Sequence, residues 1–359
     1  LTILAWAAAS LAVLLFVLTA LPWSRSTRWW VRGLDFPRLQ LLAVALVLMP
    51  VLYLVLAPGP LRTALLALVA LCLACQLWWV LPYSPLYRRE VPDAVARPGE
   101  PLSVLTVNVL MDNRNAQRLL TIIRAQRPDV VLALEPDAWW QAQLDQLAAD
   151  YPHSLKCPLD NLYGMLVYSR LPLDAGQVVF LVEDGIPSAH ATLRMPSGRE
   201  VALHCLHPRP PSPPESDSAG PRDAELLVVG RDLRGRDKPI IVAGDLNDVA
   251  WSHTTRLFRK VSGLLDPRVG RGMYNSFHAQ LCCLRWPLDH LFHSEHFAVE
   301  TIRRLPAFGS DHFPLYIRLR LLETPESAAQ GPDADGEDLA EARRKRREED
   351  VNQVHAPRV

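Results

Sequence analysis

The stretch Ile240-Ile241-Val242-Ala243-Gly244-Asp245-Leu246-Asn247-Asp248 reads as a buried strand that runs into a polar turn. Residues 240–243 are continuously apolar, as in a central strand covered on both faces. Gly244 has no Cβ, so the chain can bend there and its backbone can approach a ligand closely. Asp245 and Asn247 follow at i and i+2, which puts both side chains on one face at the strand end. A carboxylate beside a carboxamide can accept a proton from water, hold a cation or orient a phosphate oxygen. The same residues also make an ordinary Asx turn, and the rest of the chain must decide.

Outward from this stretch, residues 103–107, 130–134, 166–168 and 201–206 read as further short strands. Helical patterns lie between them. Residues 115–126 place Leu119, Leu120, Ile122 and Ile123 on one face and stop before Pro128, and residues 224–233 form a second helix. Such intermingling over residues 102–322 is enough for one α/β domain with a substantial core. The strand ends carry polar residues: Asn108, Glu135, His207, Asp245 with Asn247, Asp289, and Asp311-His312. Each alone has a bland reading as a cap or turn, but in layered α/β folds strand ends are where sites are built.

Upstream the texture differs. Residues 1–21, 39–57 and 61–81 are almost wholly apolar, each long enough for a membrane-spanning helix, which takes about 20 residues. Trp23, Trp29, Trp30, Trp78, Trp79 and Tyr83 sit where interfacial aromatic belts are expected. A cleaved signal peptide accounts for one such run but not three. Residues 1–82 are therefore read as a membrane domain, 83–101 as a linker, 102–322 as the catalytic domain and 323–359 as a disordered charged tail. The Arg-rich first loop, with Arg88 and Arg89 after the third run, places the C-terminal domain in the cytoplasm by the positive-inside rule. The chain begins with Leu rather than Met, and an N-terminal piece is expected to precede it. The Pro/Ser-rich residues 208–221 are expected to form a surface loop.

Net charge is zero, so no global field draws the chain to nucleic acid. The six cysteines form no disulfide pattern. His290, His293 and His296 do not make a zinc site, because i and i+3 on a strand point to opposite faces. Residues 274–286 read either as core packing or as a loop facing the substrate, and the loop is the expectation.

The ordered set Asn108, Glu135, His207, Gly244-Asp245-Leu246-Asn247, Asp289 and Ser310-Asp311-His312 resembles the endonuclease/exonuclease/phosphatase superfamily. Ser169-Arg170-Leu171-Pro172 also resembles that family's SRxP segment. With three preceding apolar runs, the chain is similar to membrane-anchored bacterial members, including a teicoplanin-resistance type that points to lipid-linked phosphates. The resemblance implies an α/β (α+β) four-layer sandwich of two mixed β-sheets flanked by helices, with the site at one end. It implies that Glu135, with Asn108 nearby and Asp311 through water, holds Mg²⁺ or alternatively Mn²⁺. Asp245 would orient or deprotonate the attacking water, with Asn247 fixing it, and His312, held by Asp289, would donate to phosphoryl oxygens. His207 would add a second donor, chosen over His204 because it stands at the strand end. The family's Gln before the metal-binding Glu is here Leu134, which removes a polar neighbour.

The expected function is a membrane-anchored phosphoesterase whose partners are the bilayer and a phosphorylated lipid or lipid-linked substrate; no protein partner is inferred. A Mg²⁺-dependent nuclease on the same site is the alternative, less favoured because residues 102–321 carry no dense basic stripe. A non-catalytic membrane scaffold is the second alternative and would require losses in the constellation.

Overall fold

The computed structural model describes residues 2–95, 97–213, 215–324 and 331–359. It opens with α1 (Thr2–Ala20), the single-turn α2 (Trp29–Arg32), α3 (Arg38–Val55) and α4 (Pro60–Val80). Three helices here are long and apolar enough to cross a membrane. Small and branched residues (Ala12, Ala45, Leu52, Val69) interlock between them, while Trp6, Leu54 and Trp78 point outward at 69%, 78% and 72% exposure. An outward apolar belt of this size suits hydrocarbon rather than water. One polar chain ties the three together: Arg38 donates to Gln76 at 3.2 Å, Gln76 to Thr19 at 3.0 Å, and Thr19 to the Leu15 carbonyl at 2.8 Å. Between packed apolar helices such bonds fix register, since an unpaired polar group there is costly.

The segment read as a linker is docked rather than loose. Val91 is fully buried in the core, Glu90 pairs with Arg259, and Asp93 accepts from Arg271 at 2.7 Å. The domain then runs β1 (Gly99–Asn108), α5 (Ala116–Gln126), β2 (Val130–Leu134), α6 (Ala138–Leu144), β3 (His153–Cys157), β4 (Met165–Ser169) and β5 (Leu173–Val179). It continues with β6 (Ser188–Arg194), β7 (Glu200–Cys205), α7 (Gly220–Leu233), β8 (Ile240–Asp245), α8 (His253–Ser262), β9 (Asp289–His293), β10 (Phe297–Arg304), β11 (Leu315–Leu322) and α9 (Gly336–Glu348). Two sheets result, in the orders β10-β11-β1-β2-β4-β3 and β5-β6-β7-β8-β9. Their inner faces meet through Leu132, Leu134, Leu203, Ile241 and Leu291, while α5 and α6 cover one outer face and α7 and α8 the other. The expected four-layer sandwich of mixed sheets is thus the observed fold. Truncating a sealed residue such as Ile241 to Ala would cost about 2–5 kcal/mol.

Each sheet contains one parallel pair, β1 with β2 and β7 with β8, and all other neighbours are antiparallel. A parallel pair delivers two C-terminal strand ends side by side. Asn108 lies opposite Leu134, so Glu135 follows at once; Cys205 lies opposite Ala243, so His207 and Asp245 emerge together. Asp289 sits directly across from Asp245.

Two expectations are corrected here. Of the tail expected to be disordered, residues 325–330 lie outside the described residues, but residues 336–348 form α9, packed on α7 and α8. Asp335 and Asp338 cap it reciprocally, Lys345 donates to Asp223 at 2.6 Å, Lys260 to Asp338 at 2.8 Å, and Glu341 meets His253 at 2.9 Å. Composition alone reads such charges as solvated; here they find opposite charges, and Ala342 is buried. The described residues of the Pro/Ser-rich segment form the expected loop as far as Ala219, but its end is tied down. Its end pairs with the first interhelical loop, Trp29 donating to the Asp217 carbonyl at 3.1 Å and Ala219 to that of Thr27 at 2.8 Å, and α7 begins at Gly220 rather than residue 224.

Candidate active site

Asp245 closes β8 at the point where Gly244 takes φ +149°, and a Cβ at Gly244 would overlap the Leu206 carbonyl oxygen. Only glycine fits that crossing. Two site residues adopt left-handed backbone, Glu135 at φ 62° and Asn247 at φ 51°. Asn tolerates this region, whereas Glu is strained there by about 1–3 kcal/mol and must be held by its surroundings. The Glu135 amide donates to the Gly164 carbonyl at 2.9 Å, and that of Asn247 to Asp245 Oδ1 at 2.9 Å.

Every residue of the expected constellation converges on one cavity or on its floor. Asn108 Nδ2 donates to Glu135 Oε1 at 2.6 Å and lies 3.4 Å from Asp245 Oδ2, while its Oδ1 accepts from the Leu110 amide at 3.0 Å. Asn108 is therefore a tether between two carboxylates. His312 Nδ1 binds Asp289 Oδ2 at 2.8 Å, and its Nε2 lies 3.5 Å from Asp245 Oδ2. His207 Nε2 is 4.0 Å from both Glu135 and Asp245. Asn247 uses one amide hydrogen on the Pro208 carbonyl at 3.0 Å, leaving the other and its Oδ1 free to face the cavity. Asp311 lines the same cavity, next to Ser310, whose hydroxyl donates to the Asn108 carbonyl at 2.8 Å and accepts from the His312 amide at 3.0 Å.

The electrostatics separate these groups. Burial would lower the His312 pKa, but Asp289 and Asp245 overturn that and push it up to about 10. Burial also raises Asp245, against the pull of the His312 charge. The pair resolves this by keeping its proton on the imidazole, which has two carboxylates to satisfy. Burial raises Glu135 to about 7, opposed by the Asn108 hydrogen bond, and lowers His207 to about 4, so His207 is a neutral imidazole.

The donor set fits a divalent cation. Glu135, Asp245, Asp289 and Asp311 bring four carboxylates against the single imidazolium of His312. None of the described residues lining the cavity is Lys or Arg, and Asp289 Oδ1 is buried with no hydrogen-bond partner. Hard oxygens around uncompensated negative charge select a hard cation. Among the described residues, Asp245, Asp289 and His312 lie within ligand range of one another, but His312 offers no lone pair while it holds its proton. The histidines at 290, 293 and 296 take separate partners instead: the Asp248 carbonyl, the Ser294 carbonyl and the Ser294 hydroxyl. His204 packs internally, its Nδ1 2.7 Å from that of His190.

Several site-shaping residues carry no signal in the sequence pattern. Arg222 donates to the Asn247 carbonyl at 2.9 Å and pairs with Asp248 at 3.2 Å, bracing the turn from α7. Ser276 accepts from the Asp289 amide at 3.0 Å. Phe277 and Tyr163 lie against the rings of His312 and His207, at centroid distances of 5.0 and 5.5 Å. The cavity measures about 650 Å³, and beyond its polar floor the walls are mostly apolar, apart from Ser212 and Glu215, the latter accepting from the Tyr163 hydroxyl. Phe277, Leu284 and Trp286 supply one side, so residues 274–286 do form a cavity-facing loop. Trp29, Phe36 and Pro37, from the loop between α1 and α3, supply another. No periodicity could have shown that this loop docks there. It is held by Trp251 Nε1 donating to the Asp35 carbonyl at 2.7 Å and by the edge-on Phe36–Trp286 pair at 5.6 Å.

No curated protein matches the chain. Among solved structures it is similar to an endonuclease/exonuclease/phosphatase from Bacteroides vulgatus, at 16% identity and TM-score 0.51, covering 62% of this chain and 99% of that one. It is similar to D. rerio TDP2 complexed with single strand DNA product, at 16% identity and TM-score 0.51 over 62% and 99% of the two chains. TDP2 from C. elegans gives 15% identity and TM-score 0.51 over 63% and 76%. At such identities the likeness speaks to the fold alone. The model of the endonuclease/exonuclease/phosphatase family matches residues 105–312, which is more than half of the chain and runs from within β1 to His312. The chain belongs to the endonuclease/exonuclease/phosphatase family, whose members are hydrolases acting on phosphoester bonds and use divalent metal ions.

Proposed function

We propose that this protein is a membrane-anchored phosphoesterase that hydrolyses a phosphorylated lipid or lipid-linked headgroup with the help of Mg²⁺, or alternatively Mn²⁺. One observation carries the reading. The cavity has a carboxylate and imidazole floor without Lys or Arg among its described lining residues, and part of its wall is the loop joining two apolar helices. An amphiphile matches that gradient, its phosphate at the floor and its apolar chain toward the helices. A polyanionic nucleic acid would instead need a cationic track.

Glu135, fixed by Asn108, would hold the cation, with Asp311 contributing through water. Bound there, the cation would neutralise phosphate charge. Asp245 orients the attacking water and accepts its proton, and the amide of Asn247 faces the same space. His312 keeps its proton through Asp289 and donates to a phosphoryl oxygen as charge develops. His207 is neutral and offers a second donor at Nε2. The three helices anchor the domain with its cavity at the membrane end. By the positive-inside rule that end is cytoplasmic. Protease accessibility of the α9 region in intact cells and in inverted vesicles tests that side.

The decisive assay presents the full-length protein and Mg²⁺ with polyprenyl phosphates or phospholipid phosphates in vesicles, and separately with plasmid DNA. Lipid phosphate turnover that is lost in Asp245→Ala and His312→Ala supports the reading. DNA cleavage with the same dependence and untouched lipid phosphates would make the protein a nuclease. No turnover of any phosphoester despite metal binding would make it a scaffold.

A further inference from the structure

A second groove lies at the same end of the helices, outside the catalytic cavity. It is bounded by the ends of α1 and α4, through Trp23, Trp78 and Trp79, and by α8 and the start of α9. Its volume is about 290 Å³. α8 turns a particular face to it. Of the ten residues in that helix, the three that are not buried are His253, Arg256 and Lys260. Their i, i+3, i+7 spacing stacks them on one side.

These cations differ in how they are balanced. Lys260 pairs with Asp338, His253 and Arg25 with Glu341, and Arg38 with Asp35. The Arg256 guanidinium makes no hydrogen bond or ion pair among the described residues. Its guanidinium lies over the Trp79 ring at 4.5 Å, and the Arg38 guanidinium lies over the same ring at 4.7 Å. Trp79 Nε1 and Arg38 Nε are buried donors without an acceptor. Two guanidiniums sharing one indole repel each other, and cation–π contact offsets this only in part. An anion in the groove beside Arg256 would offset this repulsion.

We propose that this groove binds the phosphate of an anionic phospholipid, as a non-catalytic site that seats the catalytic domain against the bilayer. The position selects a lipid over a free phosphate. Trp23 and Trp78, at 62% and 72% exposure, form an apolar rim at the ends of two membrane-length helices, where acyl chains would run. The phosphate would take the Arg256 guanidinium, with Lys260 beside it. This site stands independently of the catalytic reading, since it shares no residue with the cavity around Asp245.

The test uses the full-length protein in nanodiscs of phosphatidylcholine with or without phosphatidylglycerol, and measures lipid retained after transfer to detergent by native mass spectrometry. Wild type is expected to retain phosphatidylglycerol in preference to phosphatidylcholine, and inorganic phosphate is expected not to displace it. Arg256→Gln should lower that preference about tenfold, the loss expected when one charge-assisted hydrogen-bonded contact goes. Lys260→Gln should lower it less, and metal-dependent turnover of a soluble phosphoester should persist in both. Equal retention of the two lipids by wild type would overturn the proposal without reference to any variant. So would an unchanged preference in a folded Arg256→Gln protein. Displacement by inorganic phosphate alone would also overturn it, by making the groove a free-phosphate site.

Discussion

His312 and His290 are both sealed from solvent, at 4% and 0% exposure, yet they treat a proton in opposite ways. His290 lies between the Asp248 carbonyl, which accepts from Nε2 at 2.9 Å, and the Arg268 guanidinium, which donates to Nδ1 at 2.6 Å. Burial and then that guanidinium push its pKa down to about 3. His190 and His293, buried without a carboxylate partner, are each lowered to about 4. His312 suffers the same desolvation but faces Asp289 and Asp245 and ends near 10. Burial therefore sets the default for imidazole in this sandwich, neutral and structural. Two aligned carboxylates reverse it at His312, while His207 in the same cavity keeps the neutral default.

The strongest way to break this contrast is to remove its charged members. His312→Asn or Asp245→Asn should reduce kcat by about 10³-fold or more, with metal affinity largely kept, because each removes a group that moves or holds a proton. Steady-state kinetics with metal titration checks this, and a loss below about tenfold would deny these residues a chemical role. Asp289→Asn should move His312 toward the neutral class. Its proton would then leave at lower pH, so the alkaline limb of the rate profile should shift to lower pH and kcat should fall about 10²-fold. A profile that does not move would mean that Asp289 does not hold the proton.

A smaller effect separates the cavity floor from its wall. Phe36→Ala should raise KM about tenfold for a membrane-embedded phosphate and leave turnover of a short soluble phosphoester nearly unchanged, because it removes only apolar contact. The gentlest test concerns the neutral histidines. The unfolded chain binds protons on these side chains near pH 6.5, the folded chain only near 3–4. Between those values the unfolded form is the more protonated, so stability is full above about pH 6.5 and is lost as pH falls toward 4. Each such histidine contributes at most about 1.4 kcal/mol per pH unit in that window. His290→Gln should therefore flatten the decline in thermal midpoint between neutral pH and about pH 5.

The strand ends were legible because their signal is local. A continuous apolar run followed by Asp, Asn or Glu marks a buried strand and its exit, and parallel pairing then collects Asn108 with Glu135 and His207 with Asp245. The apolar helices were legible for the same reason. What stayed hidden depends on distant partners. The loop from Trp29 to Pro37 is ordinary interfacial sequence until Trp251 and Trp286 capture it. α9 reads as solvated charge until Asp223 and His253 are placed opposite Lys345 and Glu341. Arg222, far from the motif in sequence, braces the catalytic turn only because α7 lies beside β8.

The carboxylate–imidazole floor is proposed to serve an amphiphilic phosphate reached through the wall shared with the apolar helices. The most direct measurement is Mg²⁺-dependent phosphate release by the full-length protein from polyprenyl phosphate in vesicles, compared with cleavage of plasmid DNA under the same conditions. Release from the lipid is expected with wild type and is expected to disappear in Asp245→Ala, while the DNA stays intact. DNA cleavage abolished by Asp245→Ala, with the lipid phosphate untouched, would contradict this.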